Sequence, residues 1–262
     1  GSGTITINSD GVIAVGQLIT TNSTSSAVTL SAKNSAINDA GDTGGVDISA
    51  VNGTAMLNAD HLTSGAIGSG ANALETSVAT LIASASGSNG LNIDNTGNLV
   101  ATLTAINGPA KLNVHSTLTT GGNWSANSFE IDVDGNFTGS HSIASDQAAG
   151  VDLNSSAGAV TINQAISSAN GGGVTISAAS GVTLAAADAD ITTGGGTFTV
   201  DADNNDDGTG EYSQTDAGSS VVTTGGAVSI TAADVDLTGT INAGAAGTVT
   251  LLQSVNGTSI TL

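Results

Sequence analysis

Acidic residues crowd one stretch of this sequence, "DADNNDDGTGEYSQ" at residues 201–214. Read from Asp203, it follows the calcium-loop pattern D-x-[DN]-x-[DN]-G-x5-E at every position but the last. Asp203, Asn205 and Asp207 would supply side-chain oxygens at the first, third and fifth positions, and Gly208 the sharp turn at the sixth. Thr209 would offer its carbonyl, Glu211 stands at the ninth position, and Asp201 could add a further oxygen. Gln214 occupies the place of the bidentate carboxylate; a neutral amide cannot chelate in that fashion, so affinity should fall. Gly210 replaces the apolar anchor and no flanking helix is expected, which argues against a true EF-hand. Ca2+ is the one cofactor this chemistry suggests. The competing reading is a solvated acidic loop without an ion.

Other residues have the types for chemistry but not the spacing. Asp188 with Asp190, Asp234 with Asp236, and Asp132 with Asp134 could act as paired carboxylates in sugar chemistry. Alternation places each pair on one outer strand face, where solubility and edge protection explain them as well. His61, His115 and His141 have no partner at metal-ligand spacing and read as surface or turn residues. Trp124, Phe129 and Phe137 lie close together in "NWSANSFEIDVDGNF", as core filling or as a sugar-binding platform. Six Asn-x-Ser/Thr sequons, at Asn22, Asn52, Asn123, Asn136, Asn154 and Asn256, are no more than so many Ser and Thr residues produce by chance.

The composition bounds the partners. With 22 acidic and 2 basic residues the formal charge is −20, and Lys33 and Lys111 are the only cations besides histidine. Nucleic acid and anionic membrane surfaces both require a basic footprint and are unexpected partners. The chain has no cysteine, so disulfides and thiol chemistry are excluded. Its opening, "GSGTITINSD", has neither the charged n-region nor the apolar h-region of a signal peptide, so we expect it not to be the start of a primary secreted product. No apolar run approaches the roughly 20 residues of a membrane span. Hydrophobic residues nevertheless reach 39%, mostly Ala, Val, Ile and Leu, too many for a disordered chain and suited to a thin core.

These residues must be positioned by a repeating scaffold. A Gly-rich turn followed by period-two alternation recurs in "AVTLSA" (27–32), "GVDISA" (45–50), "GVTIS" (173–177), "AVSI" (227–230), "TSITL" (258–262) and many others. In "GVDISA", Val46 and Ile48 should face inward and Asp47 and Ser49 water. The last apolar residues of the main strands, Val114, Val133, Leu153, Ile176, Val200, Ile230 and Leu251, are 19, 20, 23, 24, 30 and 21 residues apart. A period of roughly 20–24 residues predicts a solenoid of about eleven coils. A flat sandwich would need larger side chains to fill the space between its sheets. The long gap between Val200 and Ile230 marks an acidic loop insertion, 201–220, on a single continuous solenoid, 1–262. Asn-Gly and Asp-Gly pairs, such as those at 52–53 and 256–257, mark corners, and Pro109 takes a turn position. Residues 71–87 fit both a helical and a strand pattern; we read them as strand with an irregular beginning. No cap is evident at either end, which suggests one unit of a longer rod or rods that stack end to end.

The segment "IGSGANALETSVATLIASASGSNGLNIDNTGNLV" (67–100) resembles a recurring unit of giant bacterial surface proteins. The units "ITTGGGTFTV" and "VVTTGGAVSITAADVDLTGTINAG" resemble filamentous-haemagglutinin-type repeats. The resemblance runs along nearly the whole chain. It implies a right-handed parallel β-helix, exported to the bacterial cell surface, acting as an adhesin stalk or as part of an extracellular filament or matrix. Its partners would be further copies or neighbouring repeats, with host or cell-surface glycans as further candidates. It supplies no catalytic motif, and no enzyme activity is expected. Polysaccharide-acting β-helix enzymes are the alternative, but their basic substrate clamp has no counterpart in a chain without Arg. Ice binding through Thr-x-Thr rows at 4–6, 102–104, 197–199 and 248–250 is a further alternative, weakened by their irregular placement.

Overall fold

The computed structural model describes residues 1–41 and 45–255. The strand phrase at 258–262, the Asn-Gly corner at 256–257 and the sequon at Asn256 lie outside the described residues. Every regular element among the described residues is a β-strand, and the strands stack as coils of a parallel β-solenoid of about eleven turns. The chain divides into two compact units, Gly1–Glu130 and Ile131–Leu262.

The second unit shows most directly how the repeat becomes structure. Val151–Ser155 pairs with Val174–Ala178, that strand with Phe198–Asp201, then Val228–Ala232 and Val249–Gln253, all parallel. Leu153, Ile176, Val200, Ile230 and Leu251 are register partners in succession, as their spacing in the sequence predicts. A second row runs through Phe137, Val160, Val182, Tyr212 and Val235. A third runs through Ile143, Ile166, Ile191, Val221 and Ile241. Each coil therefore has three strands, and the period-two alternation sends one set of β-branched and aromatic side chains inward from each. The turns between them need tight backbone. Gly150 has φ of 75°, and a Cβ there would lie 2.1 Å from the Gly173 carbonyl oxygen of the next coil.

In the first unit one inward column is almost uniform: Ser9, Ala32, Ala59, Ala85, Ala105 and Ala126 follow one another coil by coil. Beside it run Ile7, Leu30, Leu57, Ala83 and Leu103. A buried polar rung is also present and satisfied: Asn95 Oδ1 accepts from the Thr76 hydroxyl at 2.8 Å and the Val78 N–H at 3.2 Å.

Residues 71–87 contain the strand Leu74–Ala85, so the strand reading holds. Its alternation does not run unbroken. Leu74, Thr76 and Val78 point in, Ala79 and Thr80 form a half-exposed corner, and Leu81, Ala83 and Ala85 point in beyond it. Ile82 is consequently 40% exposed. The phase slip at the corner puts Leu74, Val78 and Leu81 at i, i+4 and i+7, which is why the segment imitates a helix. Asp47 is a second correction. It is fully buried rather than facing water, because it precedes the strand that begins at Ile48 and its N–H donates to the Glu75 carbonyl at 2.9 Å.

If the inward rows carry the fold, Leu153→Ala should lower stability by about 2–5 kcal/mol. Thr175→Ala, on the outward face of the adjoining rung, should change it by less than about 0.5 kcal/mol. Chemical denaturation followed by circular dichroism compares the two.

Candidate functional site

The acidic loop is built between two ladder strands, Phe198–Asp201 and Glu211–Gln214. Thirty residues separate Phe198 from its partner Val228, against 24 from Val174 to Phe198, so the extra chain is accommodated without loss of register. Asp203 organises the loop. It is fully buried, and its carboxylate accepts from the Asp207 N–H at 3.2 Å, from the Gly208 N–H at 2.9 Å and from the Ser254 hydroxyl. Gly208 has φ of 80°, the sharp turn expected at that position. Asp207 Oδ1 accepts from the hydroxyl and N–H of Thr209 at 2.6 and 3.0 Å, and the Asn205 amide donates to Asp207 Oδ2 at 3.0 Å. The Thr209 hydroxyl, foremost, holds the Asp207 carboxyl below the usual carboxylate range. Asn204 moors the loop, donating to the Ser177 hydroxyl of the preceding coil at 2.8 Å.

The structure thus brings Asp203, Asn205, Asp207 and Thr209 into one hydrogen-bonded turn. Asp201 joins its rim, accepting from the Asp203 N–H at 3.4 Å. Glu211 and Gln214 belong instead to the ladder. Glu211 is exposed in register with Asp234, and Gln214 is buried, with its amide 3.4 Å from the Thr240 carbonyl. The ninth and last template positions therefore sit on a strand governed by coil stacking, and the last one points inward. Beside it, Tyr212 packs edge-on against Phe198 with ring centroids 6.5 Å apart, and burial pushes its hydroxyl pKa above the ordinary range.

The remaining candidates are dispersed. Asp188 and Asp190 lie in a turn, not on a strand face as alternation suggested, and Asp190 accepts from the Ser220 hydroxyl at 2.6 Å. Asp234 and Asp236 do share the outward face of Asp234–Leu237. Asp132 is half-buried and bound to the Asn154 amide at 3.3 Å, and Asp134 is exposed. His61 closes a turn through Ser64 and Thr63, His115 lies 3.0 Å from Asp94, and His141 is exposed. Trp124 and Phe129 stack at 6.0 Å and are buried, as is Phe137, so all three are core residues and not a surface platform. Lys111 pairs with Glu130, and Lys33 lines a surface cleft with Asn8, Ser9 and Asp10.

One cluster has no signature in the sequence. Asp39, Asp47 and Glu75 each bring a carboxylate oxygen within 4.8 Å of the others. Asp47 Oδ2 accepts from the Glu75 N–H at 3.0 Å, while Asp47 Oδ1 and Glu75 Oε2 are buried without a hydrogen-bond partner among the described residues. Burial, foremost, and the neighbouring Glu75 and Asp39 carboxylates push the Asp47 carboxyl up to about 7. Only the coil register, which sets Ile48 against Thr76, could have revealed the group, because its members are 8 and 28 residues apart.

Comparison of the chain with protein-family models, curated proteins and solved structures finds no match.

Asp203 is the residue on which the loop depends. Asp203→Ala should speed hydrogen exchange at the Asp207 and Gly208 amides by at least about tenfold, since each loses its acceptor. Exchange measured by mass spectrometry should leave the ladder strands on either side unchanged.

Proposed function

We propose that this chain is a structural, non-catalytic β-solenoid segment of an exported bacterial surface protein. It would serve as an adhesin stalk or as the subunit of an extracellular filament or matrix. The observation that carries this reading is the in-register stacking of like residues coil after coil, Val151 on Val174 on Phe198 on Val228 on Val249. A ladder of this kind resists bending, because each backbone hydrogen bond between coils lies along the direction of stacking. What it presents outward is a repeated face of Thr, Ser, Asn and Asp, as in the column Asp152, Thr175, Thr199, Ser229 and Thr250. The charge of −20 keeps such elements from adhering sideways.

The resemblance to filamentous-haemagglutinin-type repeats supports placement outside the cell.

Negative-stain microscopy of the purified chain should show elongated particles and, at raised concentration, end-to-end fibres. Compact particles that never associate at any concentration would overturn the filament version. Cleavage of acidic or neutral polysaccharides in an activity screen would overturn the structural reading as a whole.

A further inference from the structure

We infer that Asp39, Asp47 and Glu75 form a binding site for a hard divalent cation of the calcium type. The placement follows from coil stacking. Leu18 N–H donates to the Asp47 carbonyl at 2.6 Å, and Asp47 N–H donates to the Glu75 carbonyl at 2.9 Å, so Asp47 is held between the coil before it and the coil after. Asp39 comes from the short strand Ile37–Asp39 on another face of the same solenoid. Its carboxylate is oriented by the Gly41 N–H at 2.9 Å and by the Asn72 amide. Coil stacking thus brings the three carboxylates together.

The distances suit an ion. Calcium holds oxygens at about 2.3–2.6 Å, so two ligands on opposite sides of it are about 5 Å apart. Carboxylate oxygens within 4.8 Å of one another fall inside the span that two oxygens on one such ion have. The cluster is also short of donors, which separates it from an ordinary acidic surface. Asp47 is fully buried, and with Oδ2 held by the Glu75 N–H its Oδ1 is left to the trio without a donor among the described residues. Glu75 Oε2 is buried in the same condition. The next rung shows what a compensated position looks like: Asp94, in register with Glu75, receives the Asn113 amide at 2.9 Å and has His115 at 3.0 Å. No lysine serves the trio in the same way, since Lys111 is taken by Glu130 and Lys33 lines the cleft with Asp10. A buried, unpaired carboxylate beside two others is relieved either by a proton or by a cation from outside. Two oxygens left open, from residues fixed on successive coils, fit the cation.

The test uses the full chain, stripped of metal with EDTA and titrated with CaCl2 by calorimetry. We expect one calcium site whose affinity falls by at least about tenfold in Asp47→Asn and in Glu75→Gln, because each removes one ligand charge. Asp203→Asn, in the acidic loop, should bind as the unchanged chain does. Asp47→Asn keeps the acceptor for the Glu75 N–H and removes only the charge, so it should fold in EDTA, as circular dichroism would show. Calcium should raise the melting temperature of the unchanged chain and of Asp203→Asn, but not of Asp47→Asn. No calcium binding by the unchanged chain, equal affinity in Asp47→Asn, or loss confined to Asp203→Asn would each overturn the assignment. None of these outcomes bears on whether the solenoid forms fibres.

Discussion

Parallel, in-register stacking is the constraint from which the rest of this structure follows. Successive rungs of a parallel ladder lie about 4.8 Å apart, so each side chain has its counterpart from the neighbouring coil above and below it. For apolar residues the arrangement is favourable whatever the detail. The column Ala32, Ala59, Ala85 and Ala105 is buried at every level, one small side chain upon the next. For polar residues it is favourable where donors and acceptors alternate, as Thr76 and Asn95 do. For carboxylates it is costly: two of them about 4.8 Å apart repel by on the order of 3 kcal/mol at an effective dielectric of about 20.

In a chain with 22 acidic and 2 basic residues, register sets acid on acid at Glu75 with Asp94 and at Glu211 with Asp234. Several acids are held by neutral donors nearby. Asp132 takes the Asn154 amide, Asp190 the Ser220 hydroxyl, and Asp94 takes Asn113 and His115. Glu211 and Asp234 are register partners and both exposed, so water screens them. The abundance of Asn, Ser and Thr beside the acids is therefore not filler. These residues supply neutral donors in the number that so few cations cannot.

The same constraint decides what could be read from the sequence. The inward rows were legible because stacking demands repetition, and repetition survives in a linear string: Leu153, Ile176, Val200, Ile230 and Leu251 are found by spacing alone. Corners without a turn residue were not legible, because a one-residue change of phase leaves no composition of its own. Leu74–Ala85 turns at Ala79 and Thr80, neither of which is Gly or Pro. Gln214 matched the end of a calcium template by position but obeys Tyr212, whose burial fixes the face of every residue on that strand. Asp47 was the converse case. Alternation from Ile48 sends it outward only if the strand extends back to it, and the strand begins one residue later.

Asp203 and Asp47 show why the position of an acid in the coil matters more than its identity. Both are fully buried aspartates on turns between strands. Asp203 has three donors, two of them backbone N–H groups of its own loop, so its buried oxygens are satisfied. Its loop closes around it through these bonds. Among the described residues Asp47 has one donor, the Glu75 N–H, and two carboxylates for neighbours. The acidic loop thus supplies its buried carboxylate with donors of its own, while the trio assembled across coils leaves two buried oxygens without a donor among the described residues, where we propose the cation.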